Sequence, residues 1–145
     1  MTASITEMKT ALAGGLESIL EDAGVQEFLT FRTLKATSGV IAMLSSAGNL
    51  PTPATTGEGG IVYDFDLYVL ARYENTAASQ EAAENILDGV ETAIMLNLID
   101  QYSPLYTASN LWIGIEYRRA SSRRNSPAEY LGWRWMEIYL RVLGN

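Results

Sequence analysis

Apolar residues occupy every odd position from Ile61 to Tyr73: Ile61, Tyr63, Phe65, Leu67, Val69, Ala71 and Tyr73. The even positions hold Asp64, Asp66 and Arg72 among Val62, Tyr68 and Leu70. Successive strand side chains point to opposite faces, so this spacing predicts one long strand with a fully apolar face and a mixed one. At about 3.3 Å per residue such a strand crosses a whole small domain, which makes it the expected central ladder. The mixed face predicts partial cover on that side too.

Helical spacing governs two other stretches. Met8, Leu12, Leu16, Ile19 and Leu20 recur on one stripe beside Ala11, behind a capping box of Ser4 and Glu7. Gly14 and Gly15 weaken that helix by about 1 kcal/mol each relative to alanine, which predicts close packing against a neighbour. Gly24 is placed to stop it. The second stripe is Ala82, Ala83, Ile86, Leu87, Val90, Ala93, Ile94 and Leu98. Ser79 is its expected N-cap, with Glu81 and Glu84 in the first turn, and the helix should end by Gln101, ahead of Pro104.

The remaining segments are shorter. Val25–Leu34 reads as a strand and Val40–Leu44 as its hairpin partner, with Thr37, Ser38 and Gly39 as the turn. Ser45–Gly60, which contains Pro51 and Pro53, reads as a loop or arm. Leu111–Tyr117 and Tyr130–Leu143 alternate as two strands of an antiparallel pair. The polar connection RRASSRRNSPAE between them is too long for a tight turn. If Leu111–Tyr117 runs parallel to Ile61–Tyr73, the intervening helix makes a right-handed crossover. The expected fold is α+β: a single domain over 1–145, with a mixed or antiparallel sheet of about four to five strands flanked by two helices. Residues 45–60 and 118–129 are its extended loops.

Composition narrows the class. A chain of 145 residues, 48% hydrophobic and 19% charged, has the length of one globular domain and buries a core without staples. It has no cysteine, hence no disulfide framework or thiolate site, which fits an intracellular origin. It has no histidine, the commonest general base and metal ligand. No basic and apolar leader is present, and no apolar run approaches the roughly 20 residues needed to span a bilayer. The expectation is a soluble, cytoplasmically made protein with no membrane association.

The net charge of −7 conceals an asymmetry. Residues 1–117 carry four basic side chains against fifteen carboxylates, a balance of −11; residues 118–145 carry six arginines against two, a balance of +4. Such a chain can attract copies of itself head to tail, or hold an acidic partner at one patch. Its overall acidity argues against a dedicated nucleic-acid binder.

Candidate chemistry is sparse. Asp64 and Asp66 share a strand face and offer oxygen ligands to a divalent ion; equally, they form a solvated face partnered by Arg72 or by an arginine of a neighbouring strand. No metal or cofactor is expected, since no further carboxylate completes a shell. Arg118, Arg119, Arg123 and Arg124 form one cluster suited to phosphate, to an acidic surface of a neighbouring subunit, or to solvent alone. The acidic remainder of the chain favours the protein partner. Trp112, Trp133 and Trp135 offer either a recognition face or ordinary core. Gly57, Gly59 and Gly60 match neither the dinucleotide nor the phosphate-loop spacing, and serine chemistry lacks a histidine base, so no catalytic residue is assigned and an enzyme is not expected.

The element order carries a resemblance. An N-terminal amphipathic helix (Ile5–Glu21) precedes a proline-containing loop (Leu50–Gly60), a long alternating strand and an alanine-rich helix, NTAASQEAAENILDGVETAI. A strand, a long polar loop and the C-terminal strand WRWMEIYLRVLGN complete it. This resembles the tail terminator, or tail-completion, proteins of long-tailed bacteriophages, in element order across essentially the whole chain. The resemblance implies a structural protein that forms a ring, typically a hexamer. Such a ring caps the tail tube, ends its polymerisation and joins it to a head-completion or neck protein, in the virion after assembly in the host cytoplasm. DNA would pass through its channel without specific binding. Pro51 and Pro53, with Arg118, Arg119, Arg123 and Arg124, are the expected subunit or ring contacts, and Asp64 and Asp66 the expected channel lining. The alternatives are another head–tail connector or tail-tube protein, or a small cytoplasmic ligand-binding or regulatory α+β domain that uses Trp133 and Trp135 as its pocket. On the channel reading, replacing Asp64 and Asp66 with lysine slows DNA ejection, because phosphates then gain contacts that release counterions; ejection at the unaltered rate would remove that assignment.

Overall fold

The computed structural model describes residues 3–31, 33, 39–52, 60–107, 111–120 and 132–144, with 48–52, 60, 113 and 118–120 described by backbone alone. The chain runs α1 (Ile5–Asp22), β1 (Glu27–Leu29), β2 (Val40–Thr52), β3 (Gly60–Arg72), α2 (Ala77–Ile99), α3 (Pro104–Thr107), β4 (Trp112–Ala120) and β5 (Trp133–Gly144). The five strands form one mixed sheet in the order β1-β2-β3-β5-β4. As its alternation predicts, β3 is central, antiparallel to β2 on one side and to β5 on the other.

The odd-numbered face of β3 makes the main core. Tyr63, Phe65, Leu67, Val69 and Ala71 are buried together with Met8, Leu12 and Leu16 of α1 and Leu87, Val90 and Ile94 of α2. Both long helices therefore lie on one side of the sheet. The capping box at the start of α1 is complete: Ser4 Oγ accepts from the Glu7 N–H at 3.1 Å, and Glu7 Oε1 accepts from the Ser4 N–H at 3.2 Å. Gly24, at φ +103°, ends the helix in the left-handed conformation that only glycine adopts without strain. Of the two glycines inside α1, only Gly15 marks a close approach. A methyl group there would lie 3.3 Å from both Leu105 Cα and the Pro104 carbonyl oxygen, whereas one on Gly14 would meet nothing within 4 Å.

The short α3 is held from several sides. Ser103, a buried polar residue, donates its hydroxyl to Asn97 Oδ1 at 2.8 Å and accepts from the Leu105 N–H at 3.2 Å. Trp112 Nε1 donates to the Leu105 carbonyl at 2.8 Å, and the Tyr106 hydroxyl donates to that of Leu98 at 2.6 Å. Burial pushes the Tyr106 phenol above its ordinary pKa, since a phenolate would lose hydration there.

Four expectations are corrected. The first strand is three residues long and pairs parallel to β2, with Glu27 opposite Ile41 and Leu29 opposite Met43, so the two do not form a hairpin. Val25–Leu34 has no strongly polar face, and alternation without polarity cannot set direction. The return is fixed by Gln26, whose Oε1 accepts the N–H groups of Gly39 at 2.8 Å and Val40 at 3.1 Å. Second, Ser45–Thr52 is strand, paired with β3 down to Thr52 opposite Gly60. Its small residues and Pro51 suggest a loop, but the β3 ladder supplies the backbone partners, and proline is tolerated on an outer strand. A register shift between Ser46 and Gly48 leaves Ala47 as an extra residue. Third, β4 extends to Ala120, so Arg118 and Arg119 are strand residues, Arg119 opposite Tyr139 of β5 and Arg118 at the register shift before it. Fourth, Thr76 caps α2, accepting from the Ser79 N–H at 3.1 Å, while Ser79 Oγ accepts from the Glu74 N–H at 2.8 Å. The condition set for a crossover is met: β3 and β4 run the same way in the sheet, with β5 between them.

The two glycines of α1 separate propensity from packing. Gly14→Ala is expected to raise stability by about 1 kcal/mol in urea unfolding. Gly15→Ala should lower it, because the added methyl presses on the backbone of α3. Equal gains at both positions would mean that α3 yields to α1.

Candidate functional site

The even-numbered face of β3 points away from the helices, and it divides into a charged half and an aromatic half. In the charged half Asp64 lies opposite Arg141 of β5, which in turn lies opposite Glu116 of β4. Arg141 Nε donates to Asp64 Oδ1 at 2.8 Å and Nη2 to Oδ2 at 3.0 Å, a two-pronged pair whose side chains are 25% and 30% exposed. The hydrogen bond to Asp64 raises the Arg141 pKa above its already high value; desolvation opposes this, and the charges of Asp64 and Glu116 add to it. Arg141 is thus a fixed cation at any working pH. Asp66 accepts from the Tyr68 hydroxyl at 3.3 Å and lines a shallow hollow with Ala47 and Tyr139.

Of the two readings of the aspartates, the structure forms the one with a partner from a neighbouring strand. With Arg141 on both oxygens of Asp64, that carboxylate is committed. Among the described residues, no group of three or more histidine, cysteine or carboxylate side chains is arranged to hold a metal ion.

The aromatic half is closed. Ile41, Met43, Tyr68, Leu70, Trp133 and Trp135 form a second buried cluster, none more than 7% exposed, with Leu29 packed against it. The Tyr68 and Trp135 rings lie 5.0 Å apart at a 46° tilt, and the Arg72 guanidinium sits 4.6 Å above the Trp133 ring. Met43 Sδ accepts from the Thr33 N–H at 3.3 Å. Of the two readings of the three tryptophans, the structure forms ordinary core. Trp112 belongs to the helix-side core, and Trp133 and Trp135 are core on the opposite side, where their cover comes from Leu29 and Arg72.

The expected contact residues fall on the two flanks of the sheet. Pro51 is on β2, second in the strand order beside β1, and Arg118 and Arg119 are on β4 at the other end. Pro53, Arg123 and Arg124 lie outside the described residues.

Sequence periodicity overlooks one surface. Met95, Leu96, Ile99 and Tyr102 are 49%, 58%, 81% and 78% exposed at the end of α2. Met95 and Ile99, four residues apart, lie off the core stripe in a helix whose broad apolar count hides them, and Tyr102 follows just past the helix end. The groove beside it, between α1 and α2, is lined by Ile19 and Ala93, with Asp22 and Asp88 also on its walls. The exposed side of the helix layer carries Glu17, Glu21, Asp22, Glu81 and Asp88.

No helix among the described residues is long and apolar enough to cross a membrane. No family model matches the chain, and no curated relative matches its sequence. Among solved structures the chain is similar to one from the virion of a native gene transfer agent particle. The TM-score is 0.53 over 94% of this chain and 93% of that one, at 16% identity. A likeness at that identity is one of fold.

Burial of the aromatic half has a direct check. Trp135→Ala is expected to cost about 3–5 kcal/mol in denaturant unfolding, the usual cost of emptying a core tryptophan site. A loss under about 1 kcal/mol would mean that the ring is a surface group.

Proposed function

We propose that this chain is a phage-like structural protein of a virion, acting as a tail terminator. Copies close into a ring that caps the tail tube, ends its polymerisation and joins it to the head or neck. The observation that carries this reading is the fold, held in common over nearly the full length of both chains with a component of a gene transfer agent virion. The element order that resembles tail-completion proteins supports it independently, and that resemblance is the source of the expected six copies.

The charge layout supports a ring in physical terms. A closed ring needs heterologous contacts, in which one patch meets a different patch on the next copy. An acidic body of −11 and a C-terminal segment of +4 are complementary in that sense. Arg118, Arg119, Arg123 and Arg124 are our assignment for the basic side of that contact, and Pro51 and Pro53 our assignment for the side they meet. Asp64 and Asp66 face the channel on this reading. The described side chains of that sheet face carry Glu27, Asp64, Asp66, Glu116 and Glu137 against Arg72 and Arg141, an acidic excess that repels phosphates and lets DNA pass. The partners are then the tail tube protein and a head-completion or neck protein, in the virion after assembly in the host cytoplasm. The role needs no catalytic step and no cofactor.

Another connector or a tail-tube protein is the nearest second reading. The reading as a ligand-binding domain loses its proposed pocket, because Trp133 and Trp135 are already packed into the second cluster.

Native mass spectrometry at low and moderate salt tests the proposal. The expected result is a ring of one fixed copy number, formed alone or on added tail tubes, that weakens as salt rises. Assembly without an upper limit would make it a tube protein. A monomer at every salt concentration that ignores tail tubes would remove the assembly reading.

A further inference from the structure

Among the described residues five large apolar side chains are exposed: Phe31, Met95, Leu96, Ile99 and Tyr102. Single ones are ordinary, but four of these fall within eight residues of chain at the end of α2. Leu96 joins them to the groove between α1 and α2, an open hollow of about 680 Å³. Ile19, Ala23, Ala93 and Pro104 give that groove its apolar lining. Leu96 lies three residues from Ile99 on the helix and Met95 four, so groove and patch form one surface.

The surface is held rigid from behind. Asn97 Nδ2 donates to the Ala93 carbonyl at 2.8 Å, while its Oδ1 takes the Ser103 hydroxyl at 2.8 Å. Asp100 Oδ1 accepts from the Tyr102 N–H at 2.9 Å, which fixes the turn that carries the tyrosine. Gly89, also on the groove wall, weakens α2 by about 1 kcal/mol relative to alanine. A methyl group there would meet nothing within 4 Å, so packing inside the chain does not call for that glycine. It keeps the wall low, where a partner can come close to the helix backbone.

The charges around this surface have one sign. Asp22 ends α1 on the groove wall beside Glu21, and Asp100 directly follows α2. Neither helix has a basic residue in its last turn, so the negative ends of both dipoles add to these carboxylates. The groove lining holds no lysine or arginine, and among the described residues no cation pairs with Glu21, Asp22 or Asp100. Nucleic acid and anionic lipid are repelled by such a frame, and two copies set face to face would oppose like charges.

We infer that this surface docks an amphipathic helix of a partner protein, with apolar side chains on one face and lysine or arginine beside them. Its apolar stripe lies over Leu96 and Ile99 and enters the groove, as a third helix packs across two. Its cations meet Asp22 and Asp100. The inference does not depend on ring formation.

Fluorescence anisotropy with three labelled synthetic helices, each about five turns long, tests this at moderate salt. One has a leucine stripe and a lysine face. Another keeps the leucine stripe with a glutamate face, and the last keeps the lysine face with an alanine stripe. The leucine–lysine helix is expected to bind, and each of the others at least about tenfold more weakly. Leu96→Glu removes an anchor and Gly89→Leu fills the groove, and each is expected to weaken binding by at least about tenfold. Neither should lower the urea unfolding midpoint, since Leu96 is exposed and Gly89 faces open space. Failure of the leucine–lysine helix to bind overturns the inference, and so does equal binding by the glutamate helix or by both variants. Assembly of copies that Leu96→Glu abolishes would seat a second copy there and overturn it. Retention on phosphatidylglycerol vesicles that Ile99→Glu abolishes would make the surface a lipid contact, with the same consequence. A chain that binds the leucine–lysine helix yet never closes into a ring loses the ring reading and keeps this one.

Discussion

Everything in this structure depends on β3 being satisfied on four sides. Its backbone groups are taken up by β2 and β5, and its odd-numbered side chains are covered by α1 and α2. Its even-numbered side chains must then find partners without a helix layer. They do so in two chemically different ways. Leu70 and Tyr68 join the tryptophans of β5 in a small apolar cluster, and Asp64 takes the guanidinium of Arg141. A slip of one residue between β3 and β5 would set Asp64 against an apolar neighbour and turn the tryptophans toward the helices. The register is therefore fixed from both faces at once.

This division makes the two sides of the molecule unlike. The helix side is thick and its outer surface is acidic, with an apolar patch where α2 ends. The sheet side is thin, and its charged half is held in place by the ion pair. On the reading proposed above, a thin charged wall faces the passage and the thick layer faces outward. Surface pairs of the Asp64–Arg141 type contribute little stability for each pair. Their main effect here is to hold two side chains in one geometry on a face that must stay smooth.

Much of this was legible from periodicity. The strand from Ile61, the capping box at Ser4 and both long helices follow from positional patterns, because side chains on the same face share one environment. The failures have a common cause in pairing across long sequence distances. Ser45–Thr52 looks like a loop from composition and is a strand only because β3 offers it a ladder. The direction of β1 is set by Gln26, a single side chain reaching Gly39 and Val40, which no local pattern reports. The placement of the expected contact residues was the least legible part. That Arg118 and Pro51 sit on different sides of the β3–β5 pair emerges only when four strands are laid side by side.

The pairing of β3 with β5 has a consequence for how the protein is made. Residues 62–72 of the central strand find one of their two neighbours in residues 133–143. Until the ribosome has synthesised that distant segment, the hairpin of β2 and β3 waits with its most apolar strand open along one edge. Folding must therefore be late and slow compared with that of a helical protein of this length, since the decisive contacts close long loops. During that interval the exposed edge is also the one most prone to pair with a second nascent chain.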